Sequence, residues 1–394
     1  MLALIAGSEF LGMTLWFSAT SAAPALVAEF HLSPGQSAWV TMAVQGGFVA
    51  GTLASALLNL PDLLSARRLF ALGCLLGAVA TFGVSRAETP GAVVALRAAT
   101  GAALAWVYPT GMKLAAGWFH RQRGTAIAVI VASLTAGQAF PHLVAAVAGD
   151  LPWRTQLLVP VALAIAGAVT ALVLVREGPL VIDADRFDPR AAARLFTNRF
   201  TRLAALGYFG HMWELYAMWA WIGAFAAASL DAAGAVWSGS AASLTSFIGI
   251  AAGSLGCLAA GLAGDRVGRA RIAGLALTMS GTCAAVAALV FGAPAPVLLA
   301  LVAIWGLSVV ADSAQFSTLV ADYSGAYVGT ALTIQTSIGY LLTMVSIGLV
   351  AEVALSVGWR WAFLVLLPGP IVGTWAMRRL RRLQSATQVL ASGH

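Results

Sequence analysis

Apolar runs long enough to cross a bilayer follow one another through almost the whole chain. They fall near 1–27, 36–59, 69–86, 91–116, 124–148 and 154–175, then near 202–229, 237–262, 272–291, 296–319, 328–354 and 360–377. A spanning helix needs about 20 mostly apolar residues, and away from closed barrels only a helix satisfies its own backbone in hydrocarbon. The runs are too long for strands, so they force an all-α polytopic membrane protein with twelve transmembrane helices. Composition agrees: 60% of the 394 residues are hydrophobic and 9% charged, against about 25% charged in soluble domains. Gly and Pro inside the runs do not argue against spanning, because packed neighbours satisfy the freed backbone groups.

The net charge of +7 does not mark a nucleic-acid surface, since the basic residues sit in short breaks between runs and not along one soluble face. Placing both termini in the cytoplasm collects Arg67, Arg68, Arg121, Arg123, the arginines from Arg176 to Arg202, Arg266, Arg269, Arg271 and those from Arg378 to Arg382 on that side. The opposite loops keep only Arg86, Arg154 and Arg360. The positive-inside rule then sets the orientation. An Ala-rich composition in which Arg far outnumbers Lys points to a GC-rich bacterial source and so to the bacterial inner membrane. The first run has no basic residue before it and carries Glu9, so it is expected to stay as a permanent helix. Cys74, Cys257 and Cys283 fit no metal spacing and are expected to be small buried residues; no metal and no cofactor is called for.

The chain repeats itself. Glu9, Met13 and Trp16 recur as Glu214, Met218 and Trp221, 205 residues on. Offsets of four and seven put each set along one helix face. Pro152-Trp-Arg154 recurs as Gly358-Trp-Arg360, and Asp62 as Asp265, at nearly the same offset. Three pairs at one spacing indicate two parallel six-helix repeats: an N-terminal bundle over 1–176, a polar cytoplasmic linker over 177–200, and a C-terminal bundle over 201–394 with a short basic tail. The linker, which carries Asp183, Asp185, Arg186, Asp188 and Arg190, is expected to hold a short amphipathic helix around Ala191 to Leu195.

Gly261-Leu-Ala-Gly-Asp265-Arg266-Val-Gly268-Arg269-Ala-Arg271 resembles the signature loop of the major facilitator superfamily, and it stands between spans eight and nine. The first copy, between spans two and three, is degraded to Gly51, Asp62, Arg67 and Arg68, with Leu63 where Arg is expected. Arg97-x-x-x-Gly101 in span four is similar to the family's Arg motif. The resemblance covers the whole chain. It implies two pseudo-symmetric six-helix bundles that rock about a central cavity lined by spans one, four, seven and ten. It also implies a gating role for Gly261, Asp265, Arg266, Gly268, Arg269 and Arg271, and for Asp62 as what is left of the matching brace in the first half.

Glu9, Arg97, Glu214 and Asp312 fall on those four spans. A charge at the centre of a bilayer costs about 2.5–3.5 kcal/mol on insertion scales and by default marks function. The two glutamates are expected to confront each other across an aqueous pocket and, with Asp312 and Arg97, to carry proton coupling. Arg97 is expected to balance a carboxylate, and Asp312 with Gln315 to hydrogen-bond a solute. Trp16, Gln45, Tyr108, Gln138, His211, Trp221, Gln335 and Tyr340 complete the expected solute contacts. Each has a structural alternative as packing, an interfacial anchor or a helix-to-helix bond.

These residues read as a proton-coupled secondary transporter working by alternating access, not an enzyme. Glutamate with Trp in a cavity favours a cationic or amphipathic solute, exported by proton exchange. The alternative is an uptake symporter or facilitator for a neutral solute or a small organic anion on Arg97. A metal carrier using His211, Glu214 and Glu9 lacks any accompanying signature. The expected partners are solute, protons and lipid, with the chain acting as a monomer.

Overall fold

The structure is a computed structural model that describes residues 1–119, 123–149, 151–180, 188, 192–235 and 239–392. Among these residues every regular element is helical. Eleven helices are long and apolar enough to cross a membrane, and the first span is built from shorter pieces, Leu2–Met13, Ser18–Ser21 and Ala23–Phe30. Unbroken helices form the second span (Pro34–Leu57), third (Ala66–Ser85), fifth (Arg123–Val147), seventh (Arg199–Ala232), eighth (Gly239–Val267), ninth (Arg269–Leu289) and eleventh (Val328–Ser356). Interrupted ones form the fourth (Pro90–Leu104, Tyr108–Ala116), sixth (Trp153–Gln156, Leu158–Val173), tenth (Ala295–Val309, Ser313–Ser324) and twelfth (Trp359–Ala362, Phe363–Leu366, Pro368–Ser392).

Helix starts follow local chemistry. Span two opens with Ser33 and Gln36 capping each other's backbone and Pro34 at the first helical position. Thr89 caps span four before Pro90, and Asn198 caps span seven. The polar stretch between spans eight and nine is more helical than its composition suggests. Both helices run into it and leave only Gly268 between them, at φ +100. A residue with a Cβ would be strained there, so the chain reverses on the one residue that can.

Span packing repeats between the halves through glycines. In the first half, a Cβ on Gly47, Gly51 or Gly101 would collide with the backbone of Ala98, Ala102 or Val44, so spans two and four touch backbone to backbone. In the second half, Gly256 meets the backbone of Leu307 and Gly306 that of Gly249, which joins spans eight and ten in the same way. Without a hydrophobic driving force between helices in lipid, such close approach is what packing relies on. The halves meet along two seams. Span five lies on span eight, where Cys257 Sγ is 3.8 Å from the Ala128 carbonyl. Span two lies on span eleven, where Met344 closes on Gly46. One continuous apolar core runs through both halves, and the three cysteines are free and buried in it.

After span six the chain is tied back to the end of span four: Leu180 N–H donates to the Gly117 carbonyl (3.2 Å) and Trp118 Nε1 to the Arg176 carbonyl (2.9 Å). A short helix, Ala192–Thr197, precedes span seven, close to where the linker helix is expected. Asp183, Asp185, Arg186, Arg190 and Arg121 lie outside the described residues, as do the side chains of Asp62 and Arg123.

Candidate functional site

The site begins where span one stops being a helix. After Met13 the amides of Leu15, Trp16 and Ser18 bond only three residues back, so the regular four-residue ladder lapses in the middle of the protein. Arg97, fully buried on span four, reaches into that lapse. Its guanidinium donates to the carbonyls of Leu15 (3.1 Å), Trp16 and Val40 (3.4 Å) and to Ser18 Oγ (3.2 Å). The expectation that Arg97 balances a carboxylate is therefore corrected: backbone dipoles take its donors. Arg97→Leu should remove four buried charge-assisted bonds at once and destabilise the protein by about 3 kcal/mol or more. Lysine, with one compact ammonium in place of a planar fork, should recover less than half of that. Thermal unfolding of the detergent-solubilised variants measures both.

The same break corrects the shared-face reading of the repeated motif. Glu9 and Met13 stay on the helix, but Trp16 leaves it and turns into the boundary between the halves. There it meets Phe48 of span two (ring centroids 5.3 Å apart), Tyr216 of span seven (5.6 Å) and Tyr340 of span eleven (5.5 Å). Tyr216 and Tyr340 share a hydroxyl–hydroxyl bond of 3.0 Å, and Gln138 Nε2 donates to Tyr216 Oη at 3.4 Å. Span seven has no break, so Trp221 stays on its helix. Its Nε1 donates to the Ile347 carbonyl (3.0 Å) and its ring lies on Trp359. Trp221 anchors spans seven, eleven and twelve and does not join the ring cluster.

The spans that carry that cluster also carry buried polar atoms with no hydrogen bond to the rest of the protein. Both ends of the Gln45 amide, the Gln138 carbonyl and Trp16 Nε1 are buried without partners, as are both ends of Gln335 on span eleven. His142 Nε2 is in the same condition one turn beyond Gln138, its ring 5.9 Å from Phe17. Buried polar groups are normally satisfied, so these atoms are open to a partner from outside the protein, water or solute. Phe48 was not singled out from the sequence, although it sits one turn from Gln45.

The two glutamates do not confront each other; each is turned into its own half. Glu214 receives Ser280 Oγ of span nine (2.8 Å) and Trp305 Nε1 of span ten (2.7 Å), one donor on each oxygen. Glu9 packs against Gly111 of span four, within its own half. Neither of its oxygens has a partner. Tyr108, at the start of the second piece of span four, is partly buried against the apolar core. His211 Nδ1 lies 2.8 Å from Asp312 Oδ1, both groups being buried, and Asp312 sits in the break of span ten. Gln315 does not join that pair: its Nε2 donates to the Ala260 carbonyl (3.1 Å) of span eight, and its amide packs on Gly264. Ser280 gave no signal in the sequence, because a serine in an apolar run is ordinary.

A sequence model described as Major Facilitator Superfamily matches residues 5–256. The chain belongs to that superfamily. No curated protein matches it closely enough to add a substrate. Superfamily membership makes the chain a secondary transporter embedded in a membrane, with a small-molecule substrate, and not an enzyme.

The loop that resembles the superfamily's signature has a definite place in the fold. Asp265 Oδ1 pairs with Arg269 Nη2 at 2.8 Å across Gly268. The pair stands against Gly124, in the first turn of span five in the opposite half. Helix N-termini attract carboxylates, so Asp265 meets a favourable end of the other bundle. Gly261, one turn before, lets span eight close on Ala128 of span five. Arg266 and Arg271 lie beside the pair, on the rim of a cavity at the Arg-rich end of the second half.

Proposed function

We propose that this superfamily member carries a small uncharged polar solute along the boundary between its halves, and that Glu9 carries the coupled proton. The observation behind the solute reading is the set of unpartnered amides on the spans that carry the aromatic cluster. Each buried unsatisfied group costs about 1–3 kcal/mol, and a solute with both donors and acceptors removes that cost while its apolar faces rest on Trp16, Phe48, Tyr216 and Tyr340. Recognition in this form uses an apolar lining with a few placed polar groups.

Charge argues against the other solute classes. A cation needs a carboxylate turned to the boundary, but Glu9 and Glu214 face into their own halves and Asp312 is engaged by His211. A small anion on Arg97 competes with the carbonyls that already take its donors. The uncharged solute therefore stands ahead of the cationic one.

Coupling on Glu9 rests on its contrast with Glu214. An unpaired carboxylate buried at this depth is expensive, while the acid form is tolerable. Rocking of the halves that wets Glu9 allows it to release a proton, and closure requires one back. In this reading both termini face the cytoplasm of a bacterial inner membrane. The chain works as a monomer built from 1–176, a 177–200 linker and 201–394, and the charge asymmetry of the loops supports the orientation.

The test is transport in proteoliposomes. Solutes are first chosen by their stabilisation of the purified protein against heating. A chosen solute should then accumulate against its own gradient when a pH gradient is imposed, and the sign of the effective gradient gives the direction. Flux that only equilibrates the solute, whatever the pH difference, reduces the protein to a facilitator.

A further inference from the structure

We propose a second ligand site, distinct from the solute path, that takes a phosphate-bearing anion at the Arg-rich end of the second half. A cavity of about 920 Å³ opens there, walled by the ends of spans seven, eight, nine, ten and twelve. Four arginines line it, Arg266, Arg269 and Arg271 from the turn between spans eight and nine and Arg381 from span twelve, against two carboxylates, Asp265 and Asp322.

Those carboxylates do not neutralise the cavity. Asp265 is engaged with Arg269, and Asp322 lies in the field of both members of that pair. Arg266, Arg271 and Arg381 have no ion pair or hydrogen bond among the described residues. Tyr323, Gln384, Ser385 and Thr387 add neutral polar groups to the wall. Gly268, which opens span nine, gives that helix no side-chain cap, so its first amides add a positive end to the same place.

The chemistry that matches is an oxyanion able to accept several arginine forks, and phosphate is the usual partner of such a fork. An inorganic phosphate in solution and the head group of an anionic phospholipid in the cytoplasmic leaflet offer the same group. Basic pockets at the ends of membrane helices suit the second source as well as the first. Bound there, the anion joins the turn after span eight to span twelve beside the Asp265–Arg269 pair, so its occupancy stiffens the side of the second half that meets span five.

The test uses the full-length protein in detergent, in two arms. One titrates inorganic phosphate and reads thermal unfolding. The other reads retained phosphatidylglycerol against phosphatidylcholine by native mass spectrometry. The triple variant Arg266→Gln, Arg271→Gln, Arg381→Gln is compared with Arg378→Gln, Arg379→Gln, Arg382→Gln, which removes equal charge from outside the cavity wall. Wild type and the control variant should bind in at least one arm, and the first variant roughly tenfold more weakly or worse. Binding in the phosphate arm identifies a soluble anion, and binding confined to phosphatidylglycerol identifies a lipid head group. If neither arm binds, or both triple variants lose binding alike, the assigned site is wrong. An unaltered elution profile for the first variant separates loss of binding from loss of fold.

Discussion

Gly306→Ala should destabilise the protein by about 3 kcal/mol, and Gly101→Ala by a similar amount, although each adds a single methyl group. The cause is where that methyl falls. At Gly306 it meets the backbone of Gly249 across the contact of spans eight and ten, and at Gly101 the backbone of Val44 across spans two and four. A flexible side chain can rotate away; a helix backbone cannot, so two spans must separate. Overpacking a well-filled interior typically costs about 1–3 kcal/mol, and a collision of backbone with Cβ lies at the upper end. Gly7→Ala is the control: nothing lies within 4 Å of its added methyl, and a helical Gly→Ala change of that kind should be neutral or stabilise by up to about 1 kcal/mol. Thermal unfolding midpoints in detergent compare the three. Midpoints for Gly101→Ala and Gly306→Ala equal to that of Gly7→Ala would show that these spans are not in backbone contact.

Those glycines also show what the sequence conceals. Gly51 and Gly256, like Gly101 and Gly306, are 205 residues apart, the same spacing that relates Glu9 to Glu214. With 41 glycines in the chain, coincidences at any offset are common, so this part of the repeat carried no weight until packing gave it meaning. The spans themselves were legible, because hydrocarbon punishes charge so heavily that the loops stand out. The signature loop was legible too, since Asp265, Gly268 and Arg269 each answer a local demand for charge or backbone freedom.

The break in span one was not legible. Thr14, Leu15, Trp16 and Phe17 include no glycine or proline, and nothing local stops the helix. What supports the break is Arg97, remote in sequence, whose guanidinium bonds the buried carbonyls of Leu15 and Trp16. A tertiary partner therefore decides whether Trp16 follows Glu9 along a face or turns into the boundary between halves. The unbroken seventh span keeps Trp221 on its helix. Equal motifs thus reach unequal places, and the expected symmetry of function does not follow from the symmetry of the sequence. Ser280 and Trp305 make the same point for Glu214, because their reach depends on how three spans pack.

The inequality of the two glutamates yields the second large effect. Glu9→Gln should reduce proton-driven accumulation by about tenfold or more, while exchange of labelled for unlabelled solute continues. An amide fills the same volume but has no proton to release when the cavity wets. Glu214→Gln should leave accumulation close to wild type. Its amide oxygen can still accept from Trp305 Nε1, and Ser280 can rotate its hydroxyl to accept from the amide nitrogen, so both contacts survive. Glu214→Leu, by contrast, leaves the Trp305 and Ser280 donors unpaired in the interior and should lower stability by about 2 kcal/mol or more, with coupling intact in whatever protein remains folded. Accumulation and exchange assays in proteoliposomes, run beside thermal unfolding, separate the two roles. Loss of accumulation in Glu214→Gln with retention in Glu9→Gln would reverse the assignment, and would mean that a carboxylate bonded on both oxygens still cycles its proton while the unpartnered one stays inert.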